Sequence, residues 1–257
     1  MINATLDPVP EFRISPEQRQ EKTIIILSVK KGQDRPYLYK GKAYKRSDTS
    51  TVEVKRTELR RLALSGANLG YEDRESDVSD LKFSILESKL RESIGIDKVD
   101  LNILKTLNLY NKDGYYNFAA ELLADVNDIR FSGIDIVRFG KTVDRILFRE
   151  LADKRSLLAQ YDRVLELHEL FYVYEEIEGY YRIRKEMIPR EAFREAVSNA
   201  IVHRVWDINS YIRISMYDDR IEITSPGGLP EGVTADDYLN KNLSILRNPV
   251  IAGVFSR

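Results

Sequence analysis

The 257-residue sequence contains no cysteine. That excludes disulfide frameworks, thiol nucleophiles and thiolate metal sites. Histidine occurs twice, at His168 and His203, too few for a multi-histidine zinc centre. No apolar run approaches the roughly 18 to 20 residues that span a bilayer. The first ten residues carry no basic stretch followed by an apolar core, so no secretory signal is visible. The expectation is a cytoplasmic chain with no membrane partner.

Neither sign of charge dominates. Lys and Arg number 40 against 41 Asp and Glu, a net of -1, which excludes a uniformly basic nucleic-acid packager and an acidic tail protein. Hydrophobic residues make up 43% and charged residues 32%, the balance of a chain that folds. The length suggests two domains or one large one.

The charge is distributed unevenly. Residues 1–64 hold 14 basic and 8 acidic side chains, and the rest of the chain holds 26 and 33. Such asymmetry is a reason to look for a nucleic-acid surface. The basic residues of interest are Lys30, Lys31, Lys40, Lys42, Lys45 and Arg46, interleaved with Tyr37, Tyr39 and Tyr44. Lysines and arginines in this pattern contact phosphates, and the tyrosines are candidates to stack on bases. The same pattern fits a solvated basic hairpin with packing tyrosines.

Local patterning gives the elements. Thr23–Val29 is a β-branched run that reads as a strand buried on both faces. Residues 36–40 and 43–46 read as the two arms of a hairpin, and Glu53–Leu64 as a helix. The polar stretch 66–80 is a linker candidate. Helical patterning follows at 80–91 and 100–109. Asn117 is placed to cap a short helix over 118–126, and residues 81–126 are compatible with a winged-helix unit, though the pattern fits an ordinary helix–turn–helix packing unit better. Ile129–Phe139 alternates as a strand, 142–170 reads as one long helix, and residues 171–183 read as a hairpin.

The chemistry concentrates further on. Pro189 suits the start of a helix running to about Arg204. On it, Ala192, Phe193, Ala196, Val197, Ala200 and Ile201 form one apolar face by spacing. Glu195, Asn199 and His203 recur every four residues and form a polar stripe, about 6 Å apart per step. Such a stripe also borders many ordinary amphipathic helices, and His203 also suits a helix C-terminus. Two strands follow, at 211–216 and 221–224, joined by a tight turn at 217–220. The second ends in Pro226-Gly227-Gly228. Paired glycines allow close backbone approach to a ligand, or make an ordinary turn.

The order of these pieces resembles one family. The residues that carry the likeness are Pro189, Arg194-Glu195-Ala196, Asn199-Ala200, Val202-His203-Arg204, Asp219-Arg220-Ile221-Glu222-Ile223, Pro226-Gly227-Gly228-Leu229-Pro230, Gly232 and Arg247-Asn248-Pro249. They are similar to the C-terminal part of RecG-related helicases or transcriptional regulators, which pair a Schlafen/Alba-type DNA-binding domain with a degenerate GHKL-type ATP-binding domain. Arg35-Pro36, Tyr39-Lys40 and Tyr44-Lys45-Arg46 resemble the second half of the Schlafen/Alba-type domain.

The resemblance implies an α+β chain: a truncated Schlafen/Alba-like segment at 1–65, a helical connector at 66–126 and a GHKL-like helix-on-sheet domain at 127–257. It implies ATP and Mg as cofactors, DNA as partner and a homodimer as a further option. In that reading Glu195 is the catalytic base, Asn199 the magnesium ligand, and His203, Gly227 and Gly228 complete the nucleotide site. The alternatives are an ATP-binding or ATP-hydrolysing enzyme, or a non-catalytic dimerisation or interaction scaffold.

Several positions depart from the family pattern. No carboxylate stands where the family reads adenine, near Thr224-Ser225. A second glycine-rich box falls beyond Arg257, Asp48 replaces a usual glycine, and Val205-Trp206 follows His-Arg without the usual acid. The family's Glu-rich N-terminal motif is not present either. The expectation is a fragment or shortened paralogue whose half-domain exposes strand edges. No Gly-x4-Gly-Lys-Ser/Thr loop occurs, so helicase motor chemistry has no site.

Overall fold

The computed structural model describes residues 5–19, 22–29, 36–47, 49–66, 70–229, 236 and 246–256. The fold is α+β. The chain forms two compact units, Met1–Gly70 and Tyr71–Arg257.

The first unit is built of short antiparallel pairs. β1 (Leu6–Asp7) pairs with β4 (Leu38–Tyr39), β2 (Phe12–Arg19) with β3 (Lys22–Val29), and β5 (Tyr44–Ser47) with β6 (Ser50–Glu53). Helix α1 (Arg56–Gly66) follows. Among the described residues of this unit, only Ala43 and Val54 are buried.

Two expectations change here. The 23–29 run is a strand, but it is exposed along its whole length rather than buried on both faces. β-branched side chains favour extended backbone, whereas burial needs a covering layer, which a run of isoleucines does not specify. The second is the hairpin expected over 36–46. Lys40 and Gly41 do turn the chain tightly with positive φ (50° and 77°), and Tyr39 and Lys42 exchange two backbone hydrogen bonds, but the pairing stops there and the two arms continue to different partners. The true hairpin is β5–β6, so Glu53 ends a strand instead of starting the helix.

The second unit holds the main core. Its sheet has the order β12-β11-β7-β8, from β7 (Ile134–Phe139), β8 (Ile146–Ala152), β11 (Ile212–Met216) and β12 (Ile221–Thr224). β11 runs parallel to β7, while the two outer strands pair antiparallel. Helix α2 (Ser84–Ile94) and the short helices α3 (Leu101–Thr106) and α4 (Phe118–Leu123) share one hydrophobic core with that sheet. Asn117 caps α4 as expected, accepting the Ala120 N–H at 3.0 Å. Helix α5 (Leu157–Tyr172) packs on α2, α4 and α6 (Arg190–Val202), and α6 packs on β12 and on α7 (Pro249–Phe255).

The long helix expected over 142–170 is a strand and a helix. β8 pairs along β7, Lys154 turns with φ 55°, and Ser156 starts α5 by accepting the Leu158 N–H at 3.3 Å. Pairing with β7 overrides local helical spacing, because each β8 residue gains a cross-strand neighbour. A hairpin of β9 (Val173–Glu178) and β10 (Tyr181–Glu186) joins α5 to α6. Within the stretch expected as a linker, residues 71–80 belong to the second unit, where Glu72 and Ser76 are buried. Among the described residues, no helix is long and apolar enough to cross a membrane.

Candidate functional site

Helix α6 carries the polar stripe. Pro189 stands just before its first turn, and its buried side is Phe193, Val197, Ala200, Ile201 and Val202. Ala192 and Ala196, expected on that buried face, are exposed beside Glu195 and Asn199. The apolar arc is therefore narrower than the spacing suggested. Small and polar side chains, Ala192, Ala196, Glu195 and Asn199, occupy the exposed arc together.

Glu195 and Asn199 act as a pair. Asn199 Nδ2 donates to Glu195 Oε1 at 2.9 Å, with both side chains exposed. That contact uses the amide nitrogen and one carboxylate oxygen. Asn199 Oδ1 has no hydrogen bond among the described residues. A hard oxygen ligand of this kind, supplemented by phosphate and water, is what magnesium accepts. No group of three or more His, Asp or Glu that could hold a metal ion occurs among the described residues.

His203 closes the helix. Its backbone N–H donates to Asn199 O at 3.0 Å, and its ring is half-buried. It lies about 12 Å along the helix axis from Glu195, by the rise per residue. His203 thus belongs to the end of the helix where the glycine turn sits, and Glu195 to its middle.

The glycine turn is fastened to that end. Val205 N–H donates to Pro226 O at 2.8 Å, and Ser225 Oγ donates to Ala200 O at 2.6 Å. Gly227 has φ +132° and leaves no space for a side chain: a Cβ there would meet Val205 Cγ2 at 2.5 Å and Arg247 Nη1 at 2.8 Å. Gly228 differs, with nothing within 4 Å of such a Cβ. A Cβ at Gly227 clashes, whereas one at Gly228 meets none of the described residues.

Three residues that fasten this region carry no assigned role from sequence. Arg247 Nη2 donates to Gly228 O. Buried Asn248 donates through Nδ2 to Val202 O at 2.8 Å and Arg204 O at 2.9 Å, satisfying carbonyls at the end of α6. Ser225 does the same for Ala200. Arg247-Asn248-Pro249 stands out as a motif, but only the fold discloses what its first two side chains touch. A separate open recess, lined by Asp162, Leu165, Glu166, Glu169, Arg184 and Arg190, contains none of the expected residues.

The basic residues of the first unit are partly paired within it. Lys42 Nζ meets Glu53 at 2.8 Å, and this partner raises its pKa. Lys45 meets Glu58 at 2.7 Å, and Arg46 donates to Thr51 Oγ1 at 3.2 Å. Lys40 Nζ lies 5.5 Å from the centre of the Tyr39 ring, and the Tyr39 and Tyr44 rings are 6.4 Å apart. Lys30 and Lys31 lie outside the described residues. Exposed pairs of this kind are weak.

Residues 209–257 match a family described as "Putative ATP-dependent DNA helicase recG C-terminal". The match includes the glycine turn and Arg247-Asn248-Pro249, and stops short of α6. The structure is similar to that of the DIP2311 protein from Corynebacterium diphtheriae, with a TM-score of 0.62 and 19% identity. The likeness covers 98% of this chain and 52% of that one, so this chain spans about half the length of that protein. At that identity the likeness concerns the fold. No curated protein sequence matches this chain.

Proposed function

We propose that the second unit is an ATP-binding module, and that the whole chain is a DNA-binding regulator in which the basic first unit is a Schlafen/Alba-type DNA-contacting segment. The single observation behind the nucleotide reading is the Glu195–Asn199 pair on the open arc of α6, on the helix whose C-terminal end holds the Gly227-Gly228 turn. The match of residues 209–257 to an ATPase-like family supports it.

In this reading each residue has a distinct task. Asn199 offers Oδ1 to Mg, and its own Nδ2 bond to Glu195 holds the amide in that sense. Magnesium would neutralise phosphate charge there. Glu195 keeps its second carboxylate oxygen for a water, as a general base requires. Gly227 brings backbone close to the end of α6, Gly228 leaves room beside it, and His203 lines that same end. Lys40, Lys42, Lys45 and Arg46, with Lys30 and Lys31, meet DNA phosphates, which gives affinity with little sequence selectivity.

The test is calorimetry of the full chain with Mg-ATP. Binding is expected, with a loss of at least tenfold in Asn199→Ala. Equal heats for both proteins would remove the metal role. Fluorescence anisotropy with duplex DNA over a salt series tests the second half, and no binding at low salt rejects it.

A second reading is a scaffold that docks partners without hydrolysis. Ser225 favours it. This residue falls where the resemblance expects an adenine-reading carboxylate, and its hydroxyl already donates to Ala200 O. Light scattering with and without nucleotide separates the two readings.

A further inference from the structure

The β2–β3 ribbon has two unlike faces. Residues directly opposite in an antiparallel pair share a face. The register therefore puts Phe12 with Val29, Ile14 with Leu27, and Pro16 with Ile25 on one side. The other side carries Arg13 with Ser28, Ser15 with Ile26, Glu17 with Ile24, and Arg19 with Lys22. The first face is apolar over six consecutive positions and ends in the neutral pair Gln18 and Thr23, hydrogen-bonded at 3.0 Å. All the charge of the ribbon, including the Arg19–Glu17 ion pair, lies on the second face.

Apart from Phe12, which is half-buried, the apolar face is uncovered. Ile14 is 56% exposed, Ile25 72%, Leu27 51% and Val29 56%. A two-stranded ribbon is at best marginally stable in water unless it packs on something. The first unit offers it almost no core, since only Ala43 and Val54 are buried among its described residues.

We propose that this chain pairs with a second copy of itself through this face, the two ribbons stacking as a two-layer sandwich. Three arguments select a second copy. A twofold axis brings each charge near its own like, which ordinarily opposes self-pairing, and this face has no charge. Ribbons stacked at the usual ~10 Å layer spacing let the two apolar rows interdigitate. The face offers on the order of 500 Å² per copy, so two copies bury about 1,000 Å², the lower bound for a specific interface. The proposal is independent of the nucleotide reading, since it concerns the other unit.

The full chain is measured by sedimentation equilibrium from 1 to 100 μM. The wild type is expected to be a dimer. Ile25→Glu, on the apolar face, is expected to weaken the dimer at least a hundredfold. Ile26→Glu, on the opposite face, is expected to leave it unchanged. A wild-type monomer throughout the range overturns the proposal, as does equal weakening by both variants or by neither.

Because a glutamate can unfold a unit with so little core, a second measurement uses the lack of cysteine in the chain. Ile25→Cys and Ile26→Cys each introduce a single thiol. A bis-maleimide with a spacer of about 10 Å, matching the layer spacing, is expected to link the first into dimers and leave the second unlinked. Linking of neither, or of both equally, rejects the stacked arrangement.

Discussion

The buried carboxylate of Glu72 accepts the backbone N–H of Ile251, 179 positions further along the chain, at 3.0 Å, and its other oxygen accepts the N–H of Val250 at 2.7 Å. These donors open helix α7, where a helix leaves its first N–H groups without internal partners. Glu72 therefore caps from a distance a helix whose own preceding residue, Asn248, makes no side-chain cap. Asn248 is occupied instead with the end of α6. Glu72→Ala is expected to lower stability by about 2 kcal/mol, since buried donors lose their acceptor. Urea unfolding measures it, and a change below about 0.5 kcal/mol would contradict the capping role.

Burial pushes the Glu72 carboxyl up to about 7 from an ordinary 4.5, against the two N–H bonds, which favour the charged form. Between these values the folded state holds more protons than the unfolded one. The contribution of Glu72 is thus full below pH 4.5 and lost as pH rises through about 7. Burial acts on His168 in the opposite sense, lowering its pKa, so its contribution is present above its ordinary 6.5 and lost as pH falls. Unfolding from pH 5 to 8 is expected to show a shallower fall toward high pH in Glu72→Gln than in the wild type. Identical profiles would discount Glu72 as a titrating group.

The two glycines of the turn are expected to respond differently to alanine. Gly227→Ala meets Val205 and Arg247 and forces a side chain into φ +132°. It is expected to cost about 1 to 3 kcal/mol. Gly228→Ala meets none of the described residues and is expected to leave the thermal midpoint unchanged within error. Differential scanning fluorimetry compares them, and equal midpoints would refute the assigned difference.

Asn248→Ala strips the Val202 and Arg204 carbonyls of their partner in a buried place. A loss of about 1 to 3 kcal/mol is expected. Asn248→Asp is expected to cost more, because a carboxylate there faces carbonyl oxygens and donates nothing. Chemical denaturation of the pair tests the order.

Glu195→Gln and Asn199→Ala concern exposed side chains. Each is expected to change stability by less than about 0.5 kcal/mol, as ordinary surface substitutions do. A large loss of stability in either would point to a structural role for the pair and weaken the nucleotide reading.

Much of the second unit is readable residue by residue. Asn117 announces its cap, Pro189 the entry to α6, and the alternation at 212–216 the central strand β11. These signals act over a turn or a strand pair, so the local sequence carries them. The long helix expected over 142–170 misleads because β8 owes its conformation to β7. The exposed Ala192 and Ala196 mislead because spacing gives the direction of an apolar face but not its width. The Glu195–Asn199 pair is legible, being one helical turn apart. The fastening of the glycine turn by Ser225, Arg247 and Asn248 is not, since it links segments brought together only by folding.

By itself, the sequence determined the exclusions and the local elements: no thiol side chain, no Gly-x4-Gly-Lys-Ser/Thr loop in these 257 residues, and a helix that sets a carboxylate and an amide side by side. Those follow from residue type and from spacing of a few positions. The tertiary structure alone decided that Glu72 serves a helix 179 positions away, that a side chain at position 227 would meet Val205 while one at 228 meets none of the described residues, and that the isoleucine-rich strand β3 is exposed. Each of these depends on what lies across space from a side chain, a property that a linear order of residues does not contain.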